Sequence, residues 1–283
     1  MAERVLVLGA TSLVGQQLLP RLVSAGWDVT AASRRPDPPA TGGVRWVRLP
    51  GPLPAPDVVL SLAPVWAAAS WLSAIDGAAP RRVVALSSTS VVTKKASRDA
   101  GDLALSQQLA AGEAAVRMWC DTHGSEWVLL RPTLIYGGGL DRNVSDIARL
   151  ITRFGVFPLV GGGHGLRQPV HRDDVASACM AALTAPAAAG QCYALSGGER
   201  LTYGEMVRRI FAALGRTPRT PQVPLPVARL LLRMARLLPR YSVHSMAVID
   251  RMLEDLVFDH DEAARDLGFA PRRFRPRAAD LGR

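Results

Sequence analysis

Lysine is nearly absent from this 283-residue chain: only Lys94 and Lys95 occur, against 32 arginines. Cysteine is sparse too, with Cys120, Cys179 and Cys192 and no Cys-x-x-Cys pair. An odd, scattered set excludes a disulfide framework. The five histidines lack ligand spacing, so no metal is expected. No apolar run approaches the twenty residues of a membrane-spanning helix. The first one, "RVLVLGA", is too short and too β-branched for a signal peptide, so the expected location is cytoplasmic. Acids are missing from residues 206–249, where eight arginines stand. An arginine-preferring genome accounts for the net charge of +10, but not for that asymmetry.

What is present points to a large α/β protein. Hydrophobic residues make up 48% of the chain, ample for a sizeable core. The first half alternates β-branched runs with helical patterns, the rhythm of a parallel sheet. Strands are expected near 4–8, 28–32, 44–48, 57–62, 82–87 and 126–131, and helices near 13–25, 65–77 and 103–121. The stretch "LPGPLPAPD" at 49–57 is too rich in proline for a helix and reads as a loop. From about residue 140 helices dominate, near 173–184, 203–214 and 227–238. The expected fold is a Rossmann-type doubly wound parallel sheet over 1–140. A smaller, mainly helical substrate lobe follows over 141–283, with about 155–185 packing back on the core.

The segment "VLVLGATSLVGQQLL" runs from strand through turn to helix. Gly9 permits the tight turn and Gly15 close helix–strand packing. The amides of Thr11, Ser12, Leu13 and Val14 then stand at a helix N-terminus, where an anionic pyrophosphate is favoured. The second strand ends in "AASRRPD". An acid there would bind ribose hydroxyls and favour NAD(H). Ser33, Arg34 and Arg35 instead suit a 2′-phosphate, so NADP(H) is expected ahead of NAD(H).

These motifs resemble the extended and atypical short-chain dehydrogenase/reductase family, of the NAD-dependent epimerase/dehydratase kind. Its loop usually has three glycines; here the middle one is Ser12. The resemblance runs through "DVVLSLAP" (57–64), "RVVALSSTS" (82–90), "LLRPTLIYGGG" (129–139), "GLRQPVHRDDVA" (165–176), "YALSGGERLTYGEM" (193–206) and "AARDLGFAPRRF" (263–274). It implies that Leu62, Ala63 and Pro64 line the adenine and ribose pocket. It also implies that Ser87, Pro132 and Thr133 flank the nicotinamide, that Ser88 with Thr89 supplies the active-site hydroxyl, and that Arg167 reaches a substrate diphosphate.

One part of the pattern is missing. The family's catalytic helix carries a Tyr and, four residues later, a Lys. Aligned on Glu113, "LSQQLAAGE" puts Leu105 and Leu109 there. No tyrosine in the chain is followed by lysine at that spacing, so the family's usual proton donor is absent. Lys94 is the candidate replacement, because lysine, unlike arginine, can lose its proton near other charges. The competing reading is an exposed loop charge. Arg142 and Asn143 are candidate substrate contacts, or else part of a helix start capped by Asp141 or Asn143.

Residues 226–241, "PVARLLLRMARLLPRY", place Arg229, Arg233, Arg236 and Arg240 on one side of a helix. Val227, Leu230, Leu231, Met234, Leu237 and Leu238 lie opposite. This reads as a surface helix with its apolar face on the core, or as one seated on an anionic membrane. Nucleic acid is not expected, since no recognition motif accompanies the charge. Three functions fit the sequence. The first is an NADP-dependent reductase or dehydrogenase for a hydrophobic or lipid-linked small molecule. The second is a sugar-nucleotide or lipid-linked sugar epimerase/dehydratase. The third is a non-catalytic dinucleotide-binding regulator or assembly subunit. An enzyme is favoured, and the oligomeric state is not legible.

Overall fold

The computed structural model describes residues 2–97, 99–235 and 252–282. Its centre is a seven-stranded, all-parallel sheet. Six strands come from the first half: β1 (Arg4–Leu8), β2 (Asp28–Ser33), β3 (Val44–Arg48), β4 (Val58–Ser61), β5 (Arg82–Leu86) and β6 (Glu126–Pro132). The seventh, Gln191–Leu195, pairs with β6. The order across the sheet is Gln191–Leu195, β6, β5, β4, β1, β2, β3. Chain direction through the sheet reverses between β1 and β4, the place where doubly wound sheets open a crevice. The six expected strands and the Rossmann-type fold are therefore observed. The seventh strand extends the sheet past residue 140 and draws part of the later chain into the core.

Eight helices are labelled: α1 (Gly15–Ser24), α2 (Val65–Leu72), α3 (Ser90–Thr93), α4 (Ala100–His123), α5 (Val144–Phe154), α6 (Arg172–Thr184), α7 (Tyr203–Ala213) and α8 (Leu225–Ala235). The central strands β1, β4 and β5 are buried on both faces, as in parallel sheets covered by helices, while the edge strand β3 is partly open. On one face, α1 and α6 cover the sheet through Leu18, Leu22, Val175 and Cys179. On the other, α2 and α4 cover it through Val65, Leu72, Leu109, Val116 and Cys120. A Cβ on Gly112 would lie 2.6 Å from the Trp66 amide nitrogen, so glycine lets α4 cross α2 closely. Side chains set the helix starts. Asp99 accepts from the Asp102 amide on α4, His171 Nδ1 from the Asp173 amide on α6, and Thr202 from the Glu205 amide on α7.

The second lobe has its own core of Val144, Ile147, Ile151, Phe157, Met206, Ile210, Phe211 and Phe274. Its last segment returns to the first lobe, and the helix Asp261–Leu267 packs Ala263 and Leu267 beside α6.

Candidate functional site

Strand register gathers the predicted cofactor residues on one edge of the sheet. Leu8 of β1 lies opposite Ala32 of β2 and Ser61 of β4, so the turns after these strands, from Gly9, Ser33 and Leu62, sit side by side. Gly9 has φ +70°, and a Cβ there would lie 2.6 Å from the Ala63 nitrogen. At Gly15 the added carbon would lie 2.2 Å from the Ala10 carbonyl oxygen. The loop is thus held tight by its own backbone. Ser12, where the family has glycine, accepts from the Gly15 amide at 3.2 Å and steadies the first turn of α1. Among the described residues, the amides of Leu13 and Val14 have no acceptor. No acid lies in the first turn of α1. That leaves a positive helix end open to an anion.

At the end of β2, Ser33 is buried and its hydroxyl accepts from the Arg35 amide at 3.0 Å. It shapes the turn. Arg34 and Arg35 are exposed and carry no ion pair among the described residues. Leu62 is buried and its amide donates to the Leu8 carbonyl, while Pro64 opens α2.

The turn after β5 separates three hydroxyls by their partners. Ser87 donates to Glu113 Oε1 at 2.6 Å, and Thr89 is buried and donates to the Pro132 carbonyl at 3.3 Å. Ser88 accepts from the Ser90 amide and keeps its own proton available. Of the expected pair, Ser88 is the one that can serve a ligand.

Behind this turn is a group that the sequence reading used only for alignment. Glu113 is 1% exposed, yet charged. Burial works against its charge, but hydrogen bonds from Arg131 and Ser87 hold it below the usual carboxylate range. Arg131 donates through Nε at 2.8 Å and through an Nη at 2.5 Å. This bond set ties α4 to β5 and β6 just under the expected nicotinamide position. The signal was legible: an acid midway along a buried helix face, and one Arg in the apolar run "VLLRP".

Four residues before Glu113, Leu109 is 5% exposed and sits in the core with Val91 and Leu129. Leu105 packs on the same cluster, and Ser106 donates to the Val91 carbonyl at 2.8 Å. The helix face that would hold Tyr and Lys is therefore apolar packing. Lys94 is no exposed loop charge either. Its Nζ lies 2.7 Å from Asp102 Oδ1, with side-chain exposures of 15% and 11%. That contact commits the ammonium to joining α3 to α4, so it is poorly placed to shuttle protons.

The expected substrate residues separate. Arg142 and Asn143 are exposed, and the helix cap is Asp141, which accepts from the amides of Asn143 and Ser145 and from the Ser145 hydroxyl. Arg167 is 4% exposed. It donates to the carbonyls of Leu166 and Glu254 at 2.7 Å and lies over the Tyr203 ring. These contacts join the strand Leu166–Arg167 to residues 254–256 and to the start of α7. Thr133 donates to the Gln168 carbonyl, pinning the segment after β6. A cavity of about 290 Å³ opens between Thr89, Arg131, Cys192 and the segment 258–263. On α8, Ala228 is buried while Val227 and Leu230 are exposed. Residues 236–241 of the predicted amphipathic stretch lie outside the described residues. No described helix is long and apolar enough to cross a membrane.

Residues 65–195 match the model of the NAD dependent epimerase/dehydratase family. The match covers somewhat less than half of the chain. The matched stretch runs from α2 to the seventh strand and includes Ser88, Glu113 and Arg131. Among curated relatives, a mitochondrial NADH dehydrogenase [ubiquinone] 1 alpha subcomplex subunit 9 of Arabidopsis thaliana is 27% identical over 160 residues, 53% of this chain and 40% of the relative. A 2-alkyl-3-oxoalkanoate reductase of Stenotrophomonas maltophilia is 32% identical over 155 residues, 51% of this chain and 47% of the relative. The chain thus spans less than half the length of these relatives. A UDP-glucuronic acid 4-epimerase from Bacillus cereus, solved in complex with NAD, superposes with a TM-score of 0.71 at 16% identity, covering 99% of this chain and 96% of that one. That likeness establishes the shared fold.

Proposed function

We propose that the chain binds NADP(H) along the edge formed by Gly9–Gly15, Arg34 and Arg35, and Ser87–Ser88, and exchanges hydride with a hydrophobic carbonyl or alcohol substrate. The observation that carries the reading is the pairing of an open α1 N-terminus with two guanidinium groups at the end of β2 that have no acidic partner among the described residues. The first suits a pyrophosphate and the second a 2′-phosphate. The bound dinucleotide supplies or accepts the hydride. Leu13 and Val14 offer amides to phosphate oxygens. Ser88 Oγ donates a hydrogen bond to the substrate oxygen, and Glu113 with Arg131 keeps the turn beneath it rigid. Leu105 and Leu109 supply no proton, so the proton on the substrate oxygen is exchanged with water held at Ser88. The reductase relative supports a hydrophobic substrate over a sugar nucleotide. Exposed Val227 and Leu230 on α8 support contact with a membrane surface, from which a lipid-like substrate would be drawn.

A second reading is favoured by one observation: Lys94 and Glu113, which flank the turn, are both committed, Lys94 to Asp102 and Glu113 to Arg131. A dinucleotide-binding subunit without turnover needs nothing more, and one relative is by name a subunit. NADPH carrying deuterium at the transferable position separates the two readings. Deuterium appearing in the product across a panel of 3-oxoacyl and quinone substrates supports hydride transfer. Tight NADPH binding with no label transferred supports the subunit.

A further inference from the structure

The segment Pro271–Arg277, "PRRFRPR", holds four arginines in seven residues, and the structure fixes it from both sides. The Arg272 amide donates to Asp174 at 3.0 Å, and its carbonyl accepts from the Gly198 amide at 3.2 Å. The Phe274 amide donates to Glu199 at 2.7 Å, and its carbonyl accepts from Arg209 at 2.8 Å. Phe274 itself is fully buried against Tyr136. With that side chain turned inward, Arg273 and Arg275 on either side are exposed. They face a cavity of about 380 Å³, within the range of small-ligand sites, whose floor is Tyr136, His171 and Asp280.

The charges around this cavity do not balance. Arg272 is held by Asp174 and Asp173, and Arg277 lies 3.6 Å from Asp280. His171 already meets Asp280 through Nε2. Arg273 and Arg275 have no acidic partner among the described residues. Like charges held this close on a pinned backbone repel one another unless an anion lies between them. The backbone that carries them is already ordered by the fold, so only side-chain freedom is lost on binding.

We propose that this notch is a binding site for a phosphoryl group, with Arg273 and Arg275 as the grip and Arg277 beside them. None of its lining residues belongs to the dinucleotide edge proposed above. Its ligand is either a small soluble phosphate compound or the headgroup of an anionic lipid. Guanidinium forks suit either through paired, charge-assisted hydrogen bonds.

The test uses the whole chain saturated with NADPH, so that the phosphate loop is filled. Pyrophosphate is titrated calorimetrically at fixed ionic strength. In a second arm, sedimentation with phosphatidic acid vesicles is compared with phosphatidylcholine vesicles. The variant is Arg273→Ala with Arg275→Ala. Both side chains are exposed and have no acidic partner among the described residues, so its melting temperature should match the wild type. Saturable pyrophosphate binding that weakens at least about tenfold in the variant supports the site with a soluble ligand. Phosphatidic acid binding lost in the same variant supports it with a lipid headgroup. Absence of saturable binding in both arms overturns the proposal. So does binding that the variant leaves unchanged, and so does pyrophosphate binding that appears only when NADPH is omitted.

Discussion

Replacing Glu113 with Gln keeps the shape of the buried side chain and removes its charge. In the native structure that carboxylate accepts two bonds from Arg131 and one from Ser87, at 1% exposure. Removing one partner of a buried ion pair costs about 3–5 kcal/mol, because the other charge is left unmatched. Arg131 is 25% exposed, so water recovers part of this, and about 2–4 kcal/mol is expected. At about 2–4 °C per kcal/mol for a chain near this size, the melting temperature should fall by roughly 4–16 °C. The sign with pH follows from the lowered carboxyl value. The Glu113 contribution is full above the unfolded value of about 4.3, and it is lost as pH falls through the folded value. Wild type and variant should therefore differ fully at pH 7 and converge in acid. Thermal melts followed by circular dichroism across that range are the assay. The double variant Glu113→Leu with Arg131→Met should lose much less, since no charge is left alone. A drop under about 2 °C for Glu113→Gln, or a gap that widens in acid, would refute the reasoning.

Gly9→Val should abolish dinucleotide binding, because the branched side chain meets the backbone at Leu62–Ala63 and the left-handed turn resists it; a folded variant with normal NADPH affinity places the cofactor elsewhere. Lys94→Ala should lower the melting temperature by breaking the contact with Asp102, while hydride transfer per folded molecule stays unchanged. A loss of turnover with unchanged stability would return Lys94 to the chemistry. Leu105→Tyr with Leu109→Lys should raise no activity and should destabilise the fold by several kcal/mol, roughly the cost of placing unpaired polar groups in a core. A gain in turnover would show that only these two residues separate the chain from its catalytic relatives.

The first six strands were readable because buried parallel strands are continuous β-branched runs, as in "RVLVL" and "RVVAL". Gln191–Leu195 was not, since its place depends on pairing with β6 some sixty residues earlier in the chain. The phosphate loop was legible because glycine at Gly9 and Gly15 answers a local steric need. Hydroxyls and guanidinium groups were harder to read. Sequence cannot tell a ligand contact from a bond to the chain's own carbonyl. Thr89 and Arg167 make the latter, whereas Ser88 and Arg34 make neither. Lys94 looked available because Asp102 is eight residues away, across a turn that sequence does not measure.

The central claim is that Arg34 and Arg35 select the phosphorylated dinucleotide at the open end of α1. Calorimetric titration of NADPH and NADH, on wild type and on Arg34→Ala with Arg35→Ala, tests it most directly. Each charge-assisted contact to the 2′-phosphate contributes about 1.5–3 kcal/mol, so NADPH should bind at least about tenfold tighter than NADH to the wild type. The variant should bind the two alike. Equal affinities in the wild type, or a preference that survives loss of both arginines, would contradict the account.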